Sequence, residues 1–201
     1  ERPEVILEAC KSFLHPMSGE YKGGLTINPY QGCYHRCIYC YATYDWFQDF
    51  YDKVRVKINA PKILNGELKG IKGPILISSS TDCYQPLENI FKITRKCIEI
   101  LISKNIPFII ITKSSSIVRD FPLLSKARNL STIVWSLTTL DEKVKRILEP
   151  FTPSAKGIIR AMKKAKGYNL RFGINIDPII PKVNDDVKML MALVDIAKDC
   201  G

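Results

Sequence analysis

The chain has 201 residues, 46% of them apolar and 25% charged, which suits one globular domain and excludes disordered, collagenous and low-complexity classes. No apolar run approaches the roughly 20 residues a bilayer span needs, and no basic stretch leads into an apolar N-terminal core. The expectation is therefore a cytoplasmic protein without membrane contact. Thirty Lys and Arg against twenty Asp and Glu give +10, a balance that suits an anionic partner such as nucleic acid. The lysines are dispersed, however, and the run at Lys163, Lys164 and Lys166 reads as a solvated helix face.

In chain order, residues 1–24 read as an N-terminal extension and 25–201 as the core domain. A first β-branched run at 25–28 is followed by a cysteine-rich loop. Strands are then expected at 74–79, 107–112, 131–138 and 170–176. Helical spacing covers 87–104, a shorter 119–126, and 141–148, whose acidic opening suits a helix N-terminus. It continues over 154–166, which ends at Gly167, and 184–200, with Asn184 as cap and Gly201 as stop. Strand alternating with helix predicts a parallel sheet, either doubly wound or curled like a barrel. No glycine-rich phosphate loop follows the first strand, which argues against dinucleotide binding. Residue 1 is Glu, and the final helix ends where one more strand is expected; both hint at a longer parent chain, and the sequence alone does not decide it.

Seven cysteines without an export signal favour a metal or redox site over a disulfide framework. Cys33, Cys37 and Cys40 lie in the string NPYQGCYHRCIYCYA, and three thiolates that close can share one inorganic centre. Structural zinc wants four ligands; Cys83 is distant, and His35 lies inside the spacing, where the loop would have to fold back. A 4Fe–4S cube normally takes four cysteines, so three leave one iron open, as chemistry requires. A zinc knuckle is the bland alternative, and a non-catalytic zinc or iron–sulfur module that binds nucleic acid is the rival function. Nine of the nineteen aromatic residues fall between Tyr30 and Tyr51. Spacing at Phe47, Phe50 and Tyr51 predicts packing around the loop, with base stacking the minority reading.

The cysteine spacing, the aromatic Tyr39 and the position after a first strand resemble the radical S-adenosylmethionine (SAM) superfamily. STDCYQPLE (80–88), ITKSSSIVRD (111–120), SLTTLD (136–141), ILEPFTPS (147–154) and INIDPIIPKVND (174–185) resemble its DNA-repair-photolyase-like, or spore photoproduct lyase-like, branch. The resemblance implies a partial (β/α)6 TIM-type barrel of parallel strands, with its pocket at the C-terminal strand ends. It also implies a 4Fe–4S cluster held by Cys33, Cys37 and Cys40. The amino and carboxylate groups of SAM would occupy the open iron, and a reductant such as ferredoxin or flavodoxin would supply the electron.

By the same resemblance Tyr39 lies against adenine. Thr81 and Asp82 take the SAM amino group, Lys113 and Ser136 its carboxylate, and Thr138 and Asn175 the ribose. The family often carries Gly-Gly-Glu where this chain reads Ser-Ser-Thr-Asp. The hydrogen-donating cysteine of the lyases aligns with Ser79, which leaves Cys83 as a candidate displaced donor.

Overall fold

The computed structural model describes residues 2–17, 22–45 and 49–200. Two sheets organise them. The larger holds β2 (His15–Pro16), β3 (Leu25–Ile27), β6 (Ile75–Ile77), β7 (Phe108–Thr112), β8 (Ser131–Ser136) and β9 (Phe172–Asn175), adjacent in that order. The last five are mutually parallel, and β2 adds an antiparallel edge. All five expected strands form, one to three residues shorter than their expected runs, because the residues at their ends leave the ladder. The result is the α/β architecture of parallel strands expected for a partial TIM-type barrel.

Side-chain alternation sets the core. Phe108, Ile110, Ile133 and Trp135 point into one cluster with Ile75, Ile77, Ile98, Leu124, Ile158 and Met162. Trp135 is the largest side chain there. Its indole N–H donates to the Ser114 carbonyl at 3.1 Å, and its ring meets Phe121 and Phe172 edge-on, which satisfies its one polar atom without a void.

The smaller sheet, β1 (Glu4–Glu8), β5 (Lys53–Lys57) and β4 (Tyr30–Gln31), is absent from the sequence-based reading. Its signal lay in KVRVK, whose period-two pattern buries Val54 and Val56. β1 runs parallel to β5, and β4 antiparallel to it. Two further helices, α1 (Ala42–Asp45) and α2 (Ala60–Glu67), lie between the first two barrel strands. Trp46, Phe47 and Gly201 fall outside the described residues. No helix among the described residues is long and apolar enough to cross a membrane.

The expected 87–104 helix is two: α3 (Glu88–Phe91) and α4 (Ile93–Ser103), broken at Lys92, whose φ is +53°. The break lets buried Glu88 turn back and accept the Thr94 and Arg95 amides at 3.0 and 3.2 Å, capping α4. The 119–126 segment is a 3-10 turn at Ser116–Asp120 running into α5 (Phe121–Ser125). Next come α6 (Glu142–Leu148), capped by Asp141, and α7 (Ala155–Gly167), capped by Ser154. The last is α8 (Val187–Cys200).

Asn184 is not the cap of α8. Buried, it accepts the Ile180 amide at 2.6 Å and donates to the Thr138 and Pro178 carbonyls at 2.9 and 3.0 Å. Those bonds use its amide to pin the 178–184 loop, and Asp186 caps α8 by accepting the Met189 amide.

Glu88 and Asp120 anchor a buried network. Arg119 donates to Glu88 at 2.9 Å and to Asp120 at 2.8 Å. Arg95 and the Tyr84 hydroxyl reach Asp120 at 2.5 and 2.9 Å. Burial raises the cost of ionising Asp120, but Arg119 and Arg95 outweigh it and hold the carboxyl below its usual range. Asp120→Ala removes the shared acceptor of Arg119, Arg95 and Tyr84, and stability is expected to fall by about 3 kcal/mol, measured by urea unfolding.

Candidate functional site

The C-terminal ends of the barrel strands converge on the cysteine loop. That loop leaves β4 through Gly32, at φ +85°. The buried Gln85 amide brackets it, donating to the Gly32 carbonyl at 3.2 Å and accepting the Tyr34 amide at 3.1 Å. The Cys33 amide donates to the Phe50 carbonyl at 3.3 Å, while the Tyr51 hydroxyl donates to the Cys37 carbonyl. The far side is tied to the segment after α6: Ile38 N–H donates to the Leu148 carbonyl at 2.9 Å and Phe151 N–H to the His35 carbonyl at 3.4 Å.

Cys33 and Cys37 are 8% and 6% exposed and Cys40 is half-buried, all without disulfides. Burial pushes the Cys37 thiol up to about 12, with Lys113 pulling the other way, and raises Cys33 and Cys40 as well. Such thiols hold their protons until a metal displaces them. Ala42, Phe50 and Tyr51 pack around Cys33 and Cys40, so Phe50 and Tyr51 wall the loop as their spacing predicts, while Tyr41 and Tyr44 are exposed.

Among the described residues no group of three or more His, Cys, Asp or Glu closes around a single ion. A structural zinc takes four ligands, and the loop supplies three cysteines. Free thiols spread along one walled loop, with an ammonium nearby to offset thiolate charge, fit an iron–sulfur cube, whose ligands sit on separate irons.

Around the loop stand the other candidate residues. Asn28, after β3, donates to the Ser79 hydroxyl at 3.1 Å and accepts the Ser80 amide at 3.2 Å. Ser78 ends β6 at φ +73°, a conformation costly for a residue with a Cβ, and it turns 79–82 across the strand ends. Thr81 Oγ1 donates to the Tyr30 carbonyl at 3.1 Å. Asp82 is buried and heavily engaged. It accepts the Tyr84 amide at 2.8 Å and the Thr112 hydroxyl and Lys113 amide at 2.7 Å, with His35 Nδ1 3.3 Å away. It thereby braces two strand ends against the cysteine loop. Burial works to raise its pKa, but His35 and these donors prevail and lower it.

Lys113 extends from β7, its ammonium 5.4 Å from the Tyr39 ring centroid and 3.1 Å from Glu149 Oε1. The Tyr39 hydroxyl also donates to Glu149, as does Thr138 at 3.0 Å. Ser136 and Asn175 face each other across β8 and β9. Tyr39, Lys113 and Thr138 are therefore gathered at one carboxylate. Cys83 is elsewhere: it is 0% exposed inside the main apolar cluster, its sulfur 3.9 Å from the Ile111 carbonyl. Sequence reasoning missed Glu149 and Lys145, although both lie beside or within the quoted ILEPFTPS string. A carboxylate between Leu148 and Pro150 was its only signal.

The family model of the Radical SAM superfamily matches residues 27–194. The chain belongs to the radical SAM superfamily. Its members use a 4Fe–4S cluster and SAM. Among similar proteins is an uncharacterized protein of Methanocaldococcus jannaschii, 35% identical over 79% of this chain and 61% of its own length. One of Acidianus two-tailed virus is 29% identical over 98% of the chain and 73% of its own length.

Among solved structures, spore photoproduct lyase complexed with dinucleoside spore photoproduct superposes with a TM-score of 0.70 at 19% identity, over 88% of this chain and 52% of that one. A radical SAM methyltransferase from Sphaerobacter thermophilus gives 0.62 at 16% identity, over 91% and 54%. The radical SAM chain thus spans a little over half of these solved chains and 61% of the archaeal relative.

Proposed function

We propose that this chain carries the catalytic core of a radical SAM enzyme that abstracts hydrogen from its substrate. One observation carries the reading: three free cysteines on the loop beyond the first barrel strand, walled by aromatic residues and close to the Lys113 ammonium. Cys33, Cys37 and Cys40 hold the cluster. When bound, cluster and SAM supply a one-electron cleavage of the sulfonium carbon–sulfur bond, giving methionine and a 5′-deoxyadenosyl radical.

The remaining residues bind and orient. Lys113 offers the SAM carboxylate a charge-assisted hydrogen bond, with Ser136 beside it. Thr81, its hydroxyl hydrogen spent on Tyr30, keeps lone pairs for the SAM ammonium, and the adjacent Asp82 carboxylate adds negative charge for it. Tyr39 packs against adenine, and Thr138 and Asn175 face the ribose. Burial of Asp82, Thr112, Ser136 and Thr138 at the strand ends keeps bulk water from the reactive radical.

Ser79 stands where the lyases carry their hydrogen-donating cysteine, and Cys83 is buried, so the reading extends to hydrogen abstraction and stops short of lyase chemistry. A nucleic-acid substrate, including lesion-bearing DNA, is supported by the +10 charge and by the likeness to a lyase complexed with a dinucleoside. The electron comes from a low-potential donor such as ferredoxin or flavodoxin.

Anaerobic reconstitution with iron and sulfide tests this. The reconstituted protein is expected to absorb at about 400 nm, to bleach on reduction, and once reduced to convert SAM to methionine and 5′-deoxyadenosine. Zinc at the cysteines, or no 5′-deoxyadenosine, overturns it. Lesion-bearing DNA set against peptides in the same assay then decides the substrate class.

A further inference from the structure

Five donors meet at Glu149, a residue with no place in the assignments above. Its carboxylate accepts from the Tyr39 hydroxyl and the Lys145 ammonium. It also accepts from Thr138 at 3.0 Å, Lys113 at 3.1 Å and Thr152 at 3.3 Å. Glu149 is 1% exposed and Lys145 2%. Burial works to raise the carboxyl, but Lys113 and Lys145 hold it down at about 2. Isolated ions at such depth cost several kcal/mol each, so the arrangement depends on mutual pairing.

The two ammonium groups are not equivalent. Lys145 lies one helical turn before Glu149, so that pair is made within one short stretch of backbone. Lys113 comes from another strand, is less buried, and lies over the Tyr39 ring. Lys145 cancels the charge of Glu149, which leaves Lys113 as one net positive charge beside the thiols. An ammonium carries three N–H donors; Glu149 takes one and leaves two.

We propose that Glu149 and Lys145 are positioning residues that hold the Lys113 ammonium ready for the SAM carboxylate, and the Tyr39 ring ready for its adenine, beside the anionic cluster. The proposal rests on the radical SAM reading. Glu149 fixes where the Lys113 ammonium sits, and Lys145 keeps that ammonium from being neutralised. Binding a carboxylate there then requires little side-chain ordering.

Reconstituted wild type, Glu149→Gln and Lys145→Met decide it. The readouts are cluster reduction potential, by redox titration followed by electron paramagnetic resonance, and SAM dissociation constant, by anaerobic calorimetry. Glu149→Gln removes an anion, so the potential is expected to rise. Lys145→Met removes a cation, so it is expected to fall. Both weaken SAM binding about tenfold or more, and Lys145→Arg restores both values.

Potentials that shift in the same direction, or SAM affinity that does not change, overturn the proposal and leave Glu149 a packing element. If Glu149→Gln does not fold, Lys145→Met against Lys145→Arg makes the same decision. Wild type that takes up no cluster sinks the underlying reading instead, so the two failures are distinct.

Discussion

Replacing any one of Cys33, Cys37 and Cys40 with alanine is expected to abolish the iron–sulfur cluster, its absorption near about 400 nm and all 5′-deoxyadenosine formation. On the proposed assignment the cube has three protein ligands, and no other cysteine is placed to substitute. Cys10 is hydrogen-bonded to Asn59, Cys83 and Cys97 are inside the main apolar cluster, and Cys200 is buried at the end of α8. The effect is a loss of function with modest loss of fold, because the loop backbone is held by Gln85, Phe50, Leu148 and Phe151 rather than by sulfur. Iron and sulfide content per chain, beside a Cys10→Ala control that loads normally, makes the measurement. A variant of the trio that keeps a full complement of iron and still cleaves SAM would show that the cluster is held elsewhere.

Gly32→Ala is expected to empty the same site without touching a ligand. The residue sits at φ +85°, and a Cβ built on it falls 2.1 Å from the Lys53 carbonyl oxygen. The left-handed conformation costs a non-glycine residue about 1–2 kcal/mol. The clash is worse, because its partner is backbone: Lys53 opens β5, which is paired on both sides, so the loop must move instead. Its displacement carries Cys33, the next residue, away from Cys37 and Cys40. Gly66→Ala is the control. That position lies in α2 with nothing within 4 Å of the added methyl, and the helix gains roughly 0.5–1 kcal/mol. Melting temperature and cluster content should therefore move together downward for Gly32 and stay level or rise for Gly66. Wild-type loading of Gly32→Ala would mean the loop has freedom the β5 ladder denies it.

The barrel was legible because its strands are β-branched runs that end in polar residues, and that pattern also marked the functional rim. The smaller sheet was not. β1 and β5 are far apart in sequence, and EVILE and KVRVK make sense only once paired, so local pattern carried little of the signal. The break at Lys92 was hidden for a related reason: the apolar spacing of 87–104 is helical throughout, and only the tertiary pull of Glu88 on Thr94 and Arg95 shows why the chain kinks. At the site, the cysteines could be read because thiol spacing is itself chemistry. Asp82 could be located but not its many internal partners, which arrive from the cysteine loop and β7. Glu149 was invisible as a hub, since its donors come from positions 39, 113, 138, 145 and 152 and meet only in three dimensions. Asn184 shows the converse error: a good capping residue by local rule was drawn away by the Thr138 carbonyl.

The two backbone hydrogen bonds that join 35–38 to 148–151 set an order of events during synthesis. The cysteine loop leaves the ribosome some 110 residues before the segment that clasps its far side. At about 5–20 residues per second the interval is roughly 6–22 s, during which three free thiols wait on a half-tethered loop. Iron delivery to a nascent chain would meet an unfinished receptacle. The economical sequence is barrel first and inorganic centre last, with closure of the Leu148–Phe151 clasp marking when the protein is ready to be loaded.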